Sequence, residues 1–208
     1  MSRMGAFLLA GWFCAVGAGA QAASVQPVSG GGERIESGVV RTLYGKVEKY
    51  RIRLLPVASF PNVPLPVVAQ LDRRGCMIPQ SFEAQGPENV IHGDFRAAGS
   101  SDWAALCSVR GRTTLYVFFA GRFATPIALR SQADTAWLGA DPGRKTYGSA
   151  WGIEVRPLSE MEESPELQVP PDLDHEAIDD ARLERWVTIR YYDRGKWMVL
   201  NPGDQGEP

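Results

Sequence analysis

The sequence predicts an α+β domain built on a mainly antiparallel β-meander of about five to seven strands, with one or two short helices. Short apolar stretches alternate with polar residues between glycine turns from position 90 to 130. One segment, residues 64–74, has a helical spacing of apolar side chains. Two cysteines, Cys76 and Cys107, are placed to staple that helix to the sheet. These three observations define the predicted fold class.

Residues 1–23 have the pattern of a secretory signal peptide: a positive residue at Arg3, an apolar run over 6–16 and a small-residue exit. The apolar run is shorter than the ~20 residues that span a bilayer, which disfavours a membrane anchor. Cleavage is predicted near one of three alanines: Ala20, Ala22 or Ala23. We therefore expect a periplasmic or secreted protein, with no stable membrane insertion after cleavage.

Charge and cysteine content narrow the class of protein further. Cleavage removes Arg3 and Cys14, leaving 21 basic residues, 24 acidic residues and two cysteines. This weakly acidic balance argues against nucleic acid as a partner. A cysteine pair in an oxidising compartment predicts the disulfide Cys76–Cys107, and a catalytic thiol is the alternative interpretation.

The single domain is predicted to occupy residues 39–200, between a flexible glycine-rich arm over 24–38 and a flexible tail over 201–208. Residues 49–55 alternate well enough to predict a strand, whereas 40–48 is compatible with helix or strand. Prolines then interrupt regular structure until residue 64.

Proline is tolerated in the first turn of a helix, so residues 64–74 predict a short helix that ends before Gly75. The next region predicts four antiparallel strands at 90–95, 103–109, 115–120 and 125–130. A tight turn at 110–112 joins the second strand of this set to the third.

The C-terminal part is less regular. A further strand is predicted at 152–155, and residues 157–181 carry nine acidic residues without lysine or arginine. Such a run predicts a solvated, acidic, proline-rich loop at 157–174. A short acidic helix is predicted over 173–183. The chain then ends with a hairpin, because alternating residues flank the turn Asp193-Arg194-Gly195.

Residues 91–106, IHGDFRAAGSSDWAAL, resemble one FG-GAP-type unit of a β-propeller blade. In that family the loop often holds calcium through Asp or Asn at its first, third and fifth positions and Asp at its ninth, with Gly at the sixth. The unit occurs once here, whereas a propeller needs at least four repeated blades, so a whole propeller is excluded.

The calcium ligands of that family are incomplete in this chain. Asp94, Gly99 and Asp102 match the pattern, but Arg96 and Ala98 occupy the third and fifth positions. Calcium prefers six to eight oxygen ligands, so the resemblance implies a degenerate loop without a bound cofactor. We expect Arg96 to pair with Asp94 or Asp102 in place of the metal. A calcium-stabilised structural domain is the alternative.

A wider resemblance covers three segments: RGCMIPQ at 74–80, ENVIHGD at 88–94 and SDWAALCS at 101–108. Together they are similar to a group of small exported bacterial proteins of uncharacterised function. The resemblance implies a bacterial envelope or secreted protein and assigns no catalytic residue.

Catalytic signals are sparse. The sequence contains no Gly-x-Ser-x-Gly, P-loop, dinucleotide-binding or His-Glu-x-x-His motif. The two histidines, His92 and His175, lie in different segments, and each has acidic neighbours. A structural hydrogen bond is the simpler role for His92, and an exposed position is the simpler one for His175.

Aromatic residues are numerous, and Trp137, Tyr147 and Trp151 are candidates for a binding face if they line one groove. The leading hypothesis is a non-enzymatic binding or interaction module of the cell envelope, with an envelope protein or glycan as partner. The alternative from another class is an envelope hydrolase that uses His92 or His175 with nearby carboxylates. That alternative predicts a concave pocket holding one of the two histidines.

Overall fold

The computed structural model describes residues 32–42 and 45–201. The predicted signal peptide at 1–23 and most of the predicted tail lie outside the described residues. The described chain forms a nine-stranded sheet and a four-stranded sheet. The predictions of a mostly β fold, dominated by antiparallel pairing and carrying short helices, are confirmed.

The first sheet contains β1 (Arg34–Arg41), β2 (Val47–Pro56), β3 (Met77–Gln80), β4 (Val90–Gly93), β5 (Asp102–Val109), β6 (Arg112–Phe118), β7 (Ile127–Ala133), β8 (Leu138–Asp141) and β9 (Thr146–Ser149). The second contains β10 (Trp151–Arg156), β11 (Ala177–Arg182), β12 (Trp186–Asp193) and β13 (Lys196–Asn201). The helices are α1 (Leu65–Arg74), α2 (Leu158–Glu162) and a 3-10 turn at Val57–Ser59.

The first sheet is mixed and is not the simple meander that was predicted. Its order is β7-β6-β5-β3-β2-β9-β8, with β1 also paired to β2 and β4 also paired to β5. The β2–β9 pair is parallel, with Tyr50 opposite Tyr147. Local alternation predicted strands in the regions of β2, β4 to β7, β10, β12 and β13, but it did not predict β1, β3, β8, β9 or β11. The number of strands was therefore underestimated, and pairing between distant segments was not foreseen.

Both predicted hairpin turns are confirmed. Arg110 and Gly111 have φ values of 52° and 78°, and Arg194 and Gly195 have φ values of 46° and 85°. Two consecutive residues with positive φ give a tight turn whose twist matches that of the flanking strands.

The predicted helix and disulfide are also confirmed. Helix α1 begins after Pro64 and ends at Gly75, whose φ of 72° is left-handed. Cys76 and Cys107 are bonded, with their Cα atoms 5.0 Å apart. One hydrophobic cluster joins α1 to the sheet around this bond, through Val67, Leu71, Ile78 and Phe118.

Three predictions about irregular segments need correction. Residues 34–38 of the predicted arm lie in β1, which pairs along its whole length with β2. The acidic loop contains α2, whose Met161 is fully buried. The helix predicted over 173–183 is wrong: β11 occupies 177–182, between β10 and β12.

The main core lies between the two sheets. Residues of β5 and β6 from the first sheet cluster with residues of β10 and β11 from the second, including Leu106, Leu115, Ile153 and Ile178. Asn89 links the sheets by hydrogen bonds to Trp151 O and from Ile153 N. Within the described ranges, no helix has the length and apolar character needed to cross a membrane.

Candidate functional site

A cleft of about 390 Å³ lies over β4 and β5, beside the start of α1. We call it the aromatic cleft, and it is defined by Phe60, Pro61, Val63, Pro87, His92 and Trp103. His92 is the one ionisable side chain among its lining residues. The cleft is therefore mainly apolar and nearly uncharged.

The segment that follows the 3-10 turn forms one wall of the aromatic cleft. Two consecutive turn hydrogen bonds shape it, from Phe60 N to Val57 O at 3.0 Å and from Val63 N to Phe60 O at 3.2 Å. Val57 and Val63 are buried in the cluster that surrounds the disulfide. The Cys76–Cys107 bond and α1 thus support this wall from behind.

The imidazole of His92 and the indole of Trp103 form the opposite side. These residues face each other across β4 and β5, and their ring centroids are 4.8 Å apart. Trp103 is half-buried, and Cys107 lies four residues further along the same strand, on the same face. The disulfide cluster therefore holds the indole, while His92 is exposed.

His92 also contacts a serine that sequence analysis did not single out. Its Nε2 lies 2.8 Å from the Oγ of Ser101. Ser101 precedes β5 with a φ of 54°, and its backbone N–H donates to Asp94 at 3.1 Å. The sequence offered one signal for this contact, because Ser101 stands just before a strand that pairs with the strand of His92. Neither residue belongs to a known catalytic motif.

Asp94 organises the loop that carries Ser101. Its two carboxylate oxygens accept the backbone N–H groups of Ser101 and Gly99, the latter at 2.7 Å. These hydrogen bonds lower the pKa of Asp94 below its ordinary value. The Asp94 carboxylate therefore holds its own loop together, and its negative charge is stabilised by backbone N–H donors.

Asp102 has a similar role at the other end of the loop. It is fully buried, and it accepts hydrogen bonds from Ala120 N at 2.7 Å and from the Ser100 hydroxyl at 2.6 Å. Arg96 lies instead over the ring of Phe119, 5.2 Å from its centroid, with Nη2 3.5 Å from Ala120 O. Arg96 thus contacts a ring and a carbonyl instead of a carboxylate. Asp94 accepts hydrogen bonds from donors of its own loop, and Asp102 accepts them from Ser100 in the loop and from Ala120 beyond β6.

The described residues contain no group of three or more His, Cys, Asp or Glu side chains placed to hold a metal ion. The oxygens of Asp94 and Asp102 that calcium would require accept protein hydrogen bonds. The loop over 94–102 is therefore closed by hydrogen bonds in this structure.

His175 is buried rather than exposed. Its Nδ1 lies 2.9 Å from Asp174, and this bond lowers the pKa of that carboxyl. The adjacent Glu176 holds the Asp94 loop twice, because its N–H donates to Asp94 O and its carboxylate accepts from Asp94 N. The aromatic cleft is lined by His92 and not by His175. This segment thus supports the loop from behind.

The predicted aromatic face does not form an open groove. Trp137 and Trp151 are each 3% exposed, and their rings pack edge to face at 5.0 Å in the main core. Tyr147 belongs to a different cluster, with Ile52 and Leu54. Alternation and aromatic content identify such residues but cannot separate a core position from a surface one.

Comparison of the chain with protein-family models, curated protein sequences and solved structures finds no match.

Proposed function

We propose that this protein is a non-enzymatic binding module of the bacterial cell envelope, and that its ligand is an uncharged, apolar segment of a partner protein. The observation that carries the proposal is the half-buried Trp103 ring, backed by His92, inside a cleft walled by prolines and Phe60. The disulfide supports a location in an oxidising compartment.

The chemistry of the cleft favours a peptide over a glycan. A sugar ring needs several hydrogen-bond partners around a stacking aromatic, and most of the lining is proline, valine and phenylalanine. Grooves lined by aromatic side chains bind extended peptide segments, proline-rich ones among them. Tryptophan also loses little side-chain entropy on binding and is frequent at interface hot spots.

The cleft is also preorganised. Its two sides are joined through the cluster that surrounds Cys76–Cys107, so binding requires little reordering of the chain. A rigid aromatic site of this kind retains more of its contact energy as affinity.

The experiment selects apolar peptides from a displayed library on the oxidised protein and measures their affinity by calorimetry. We expect His92→Ala and Pro61→Ser to weaken binding about tenfold or more, since each removes part of the cleft surface. Val39→Ser is the matched control, because Val39 is exposed on β1 and does not line the cleft. Failure of the library to yield any peptide that binds, or equal losses in all three variants, would contradict the proposal.

A second candidate function rests on the 2.8 Å contact between His92 Nε2 and Ser101 Oγ beside the cleft. In a hydrolase, His92 would take the Ser101 proton as the serine attacks an acyl group, and would then give that proton to the leaving group. Water would release the acyl group from Ser101 in a second step, with His92 again as the base. A serine-directed fluorophosphonate probe tests this role. Covalent labelling that is lost in Ser101→Ala and His92→Ala would support the hydrolase, whereas an unlabelled protein would leave the binding module as the better account.

A further inference from the structure

We infer that a second cleft, on the other side of β3, binds a small multivalent oxyanion. This cleft has a volume of about 430 Å³ and is lined by polar groups. We call it the arginine cleft and define it by Arg51, Arg53, Arg144, Gln80, Ser81 and Ser149. It shares no lining residue with the aromatic cleft. The inference is therefore independent of the function proposed above.

The strands bring the three arginines together. Arg51 and Arg53 lie two positions apart on β2 and so project from the same face. Arg144 comes from the turn between β8 and β9, and β9 pairs in parallel with β2. Three arginines from two segments far apart in sequence thus line one concave surface.

The wall of the cleft is built by a closely packed segment, 80–85. Phe82 N donates to Ser149 O at 2.8 Å, and Phe82 packs against Gly148 so closely that a Cβ there would lie 2.7 Å from the Phe82 Cβ. The buried Gln80 side chain bonds to the backbone of Glu88 in both directions. The cleft is therefore preformed and does not depend on a ligand to assemble it.

The charges of the cleft are only partly balanced. Arg53 pairs with Glu33 at 3.1 Å, and Arg144 pairs with Asp141 at 3.2 Å. Arg51 has no ion-pair partner in the described part of the chain. Two carboxylates among three arginines leave a net positive charge, which favours an anion.

Guanidinium groups present planar pairs of N–H donors that match the oxygens of phosphate or carboxylate. Ser149 Oγ accepts from Trp151 N at 3.4 Å, so its own proton can be donated to a ligand. The class of ligand is therefore a compact anion with several oxygens. A phosphate and a polycarboxylate share this chemistry, and two probes distinguish them.

The test is calorimetric titration of the oxidised protein with pyrophosphate and, separately, with citrate, at matched ionic strength in sodium chloride. We expect saturable binding of at least one probe, and a preference between them identifies the phosphate or carboxylate source. Arg51→Gln should weaken this binding about tenfold, because it removes charge-assisted hydrogen bonds. Arg122→Gln is the matched control, since Arg122 is exposed and does not line the cleft.

A variant with the opposite sign completes the test. Glu33→Gln frees Arg53 from its partner, so binding should tighten severalfold rather than weaken. A folding defect cannot produce that result. Absence of saturable binding for both probes would overturn the inference, and so would equal weakening in Arg51→Gln and Arg122→Gln.

Discussion

The His92 imidazole and the Trp103 indole face each other across β4 and β5, with ring centroids 4.8 Å apart. Cross-strand aromatic pairs of this type stabilise a sheet and also present a flat, rigid surface. Here the pair lines a cleft whose opposite wall is supported by a disulfide and a helix. The fold and the aromatic cleft are therefore built from the same contacts.

The disulfide is expected to contribute substantially to stability. It closes a loop with a sequence separation of 31 residues, which corresponds to about 3–4 kcal/mol in the chain-entropy account. The double variant Cys76→Ser/Cys107→Ser should lower the free energy of unfolding in urea by that amount. The oxidised and chemically reduced wild type provide a second comparison. A loss below about 1 kcal/mol would contradict the role given to this bond.

We expect the buried carboxylate of Asp180 to contribute far more to the free energy of unfolding than an exposed carboxylate does. It accepts a hydrogen bond from Trp151 Nε1 at 2.7 Å and from Arg190 Nε at 2.8 Å, and it is fully buried. Asp180→Asn leaves Arg190 without its charge partner and should cost about 3–5 kcal/mol in urea unfolding.

The matched control for that change is Asp172→Asn. Asp172 pairs with Arg194 at 3.4 Å, but both side chains are about four-fifths exposed. An exposed ion pair contributes about 0–1 kcal/mol. Equal losses of unfolding free energy for Asp180→Asn and Asp172→Asn would show that burial does not determine how much an ion pair contributes to stability.

These acidic residues show where sequence reasoning fails. The run at 157–181 predicts solvated structure because it carries no lysine or arginine, yet Asp179 and Asp180 are buried in β11. Their partners, Arg156 and Arg190, come from the neighbouring strands. The charges of β11 are balanced by arginines of the neighbouring strands, and a local count of charges cannot reveal this.

Glycine turn signals, by contrast, were reliable. The turns at Gly111 and Gly195 and the end of α1 at Gly75 depend on left-handed backbone that glycine adopts readily, so they were predicted correctly. Within the candidate site, His92 was identified from sequence. Sequence reasoning did not identify Trp103, Ser101 or the cleft wall around Phe60. Their proximity arises from strand register and from the packing of α1, which local patterns do not reveal.

The Asp94 carboxylate is expected to make stability depend on acid pH. Backbone N–H donors of Ser101 and Gly99 lower its pKa in the folded protein. A lowered folded pKa means that the stabilising contribution is present above the unfolded pKa and is lost as pH falls through the folded pKa. The midpoint of thermal unfolding should therefore fall between about pH 4 and pH 2 less steeply in Asp94→Asn than in wild type.

Asp72→Asn is the control for this profile, because Asp72 is exposed on α1. Its acid profile should match that of wild type. A profile for Asp94→Asn that runs parallel to wild type across the same range would contradict the loop-holding role of Asp94.

We expect calcium to leave the melting temperature of the protein unchanged. The carboxylate oxygens of Asp94 and Asp102 accept hydrogen bonds from Gly99, Ser101, Ser100 and Ala120, so a metal would have to displace them. Differential scanning fluorimetry in millimolar calcium and in chelator should give the same melting temperature. A rise with calcium that chelator reverses and Asp94→Asn abolishes would restore the calcium-stabilised alternative.

The most direct test of the aromatic cleft is two-dimensional ¹⁵N–¹H NMR of the oxidised protein titrated with a selected apolar peptide. We expect the Trp103 indole N–H and the backbone N–H signals of residues 59, 60, 62, 63 and 90–92 to shift together and to saturate with the calorimetric affinity. Perturbations that map elsewhere while these signals stay fixed would contradict the proposal that the cleft is the binding site.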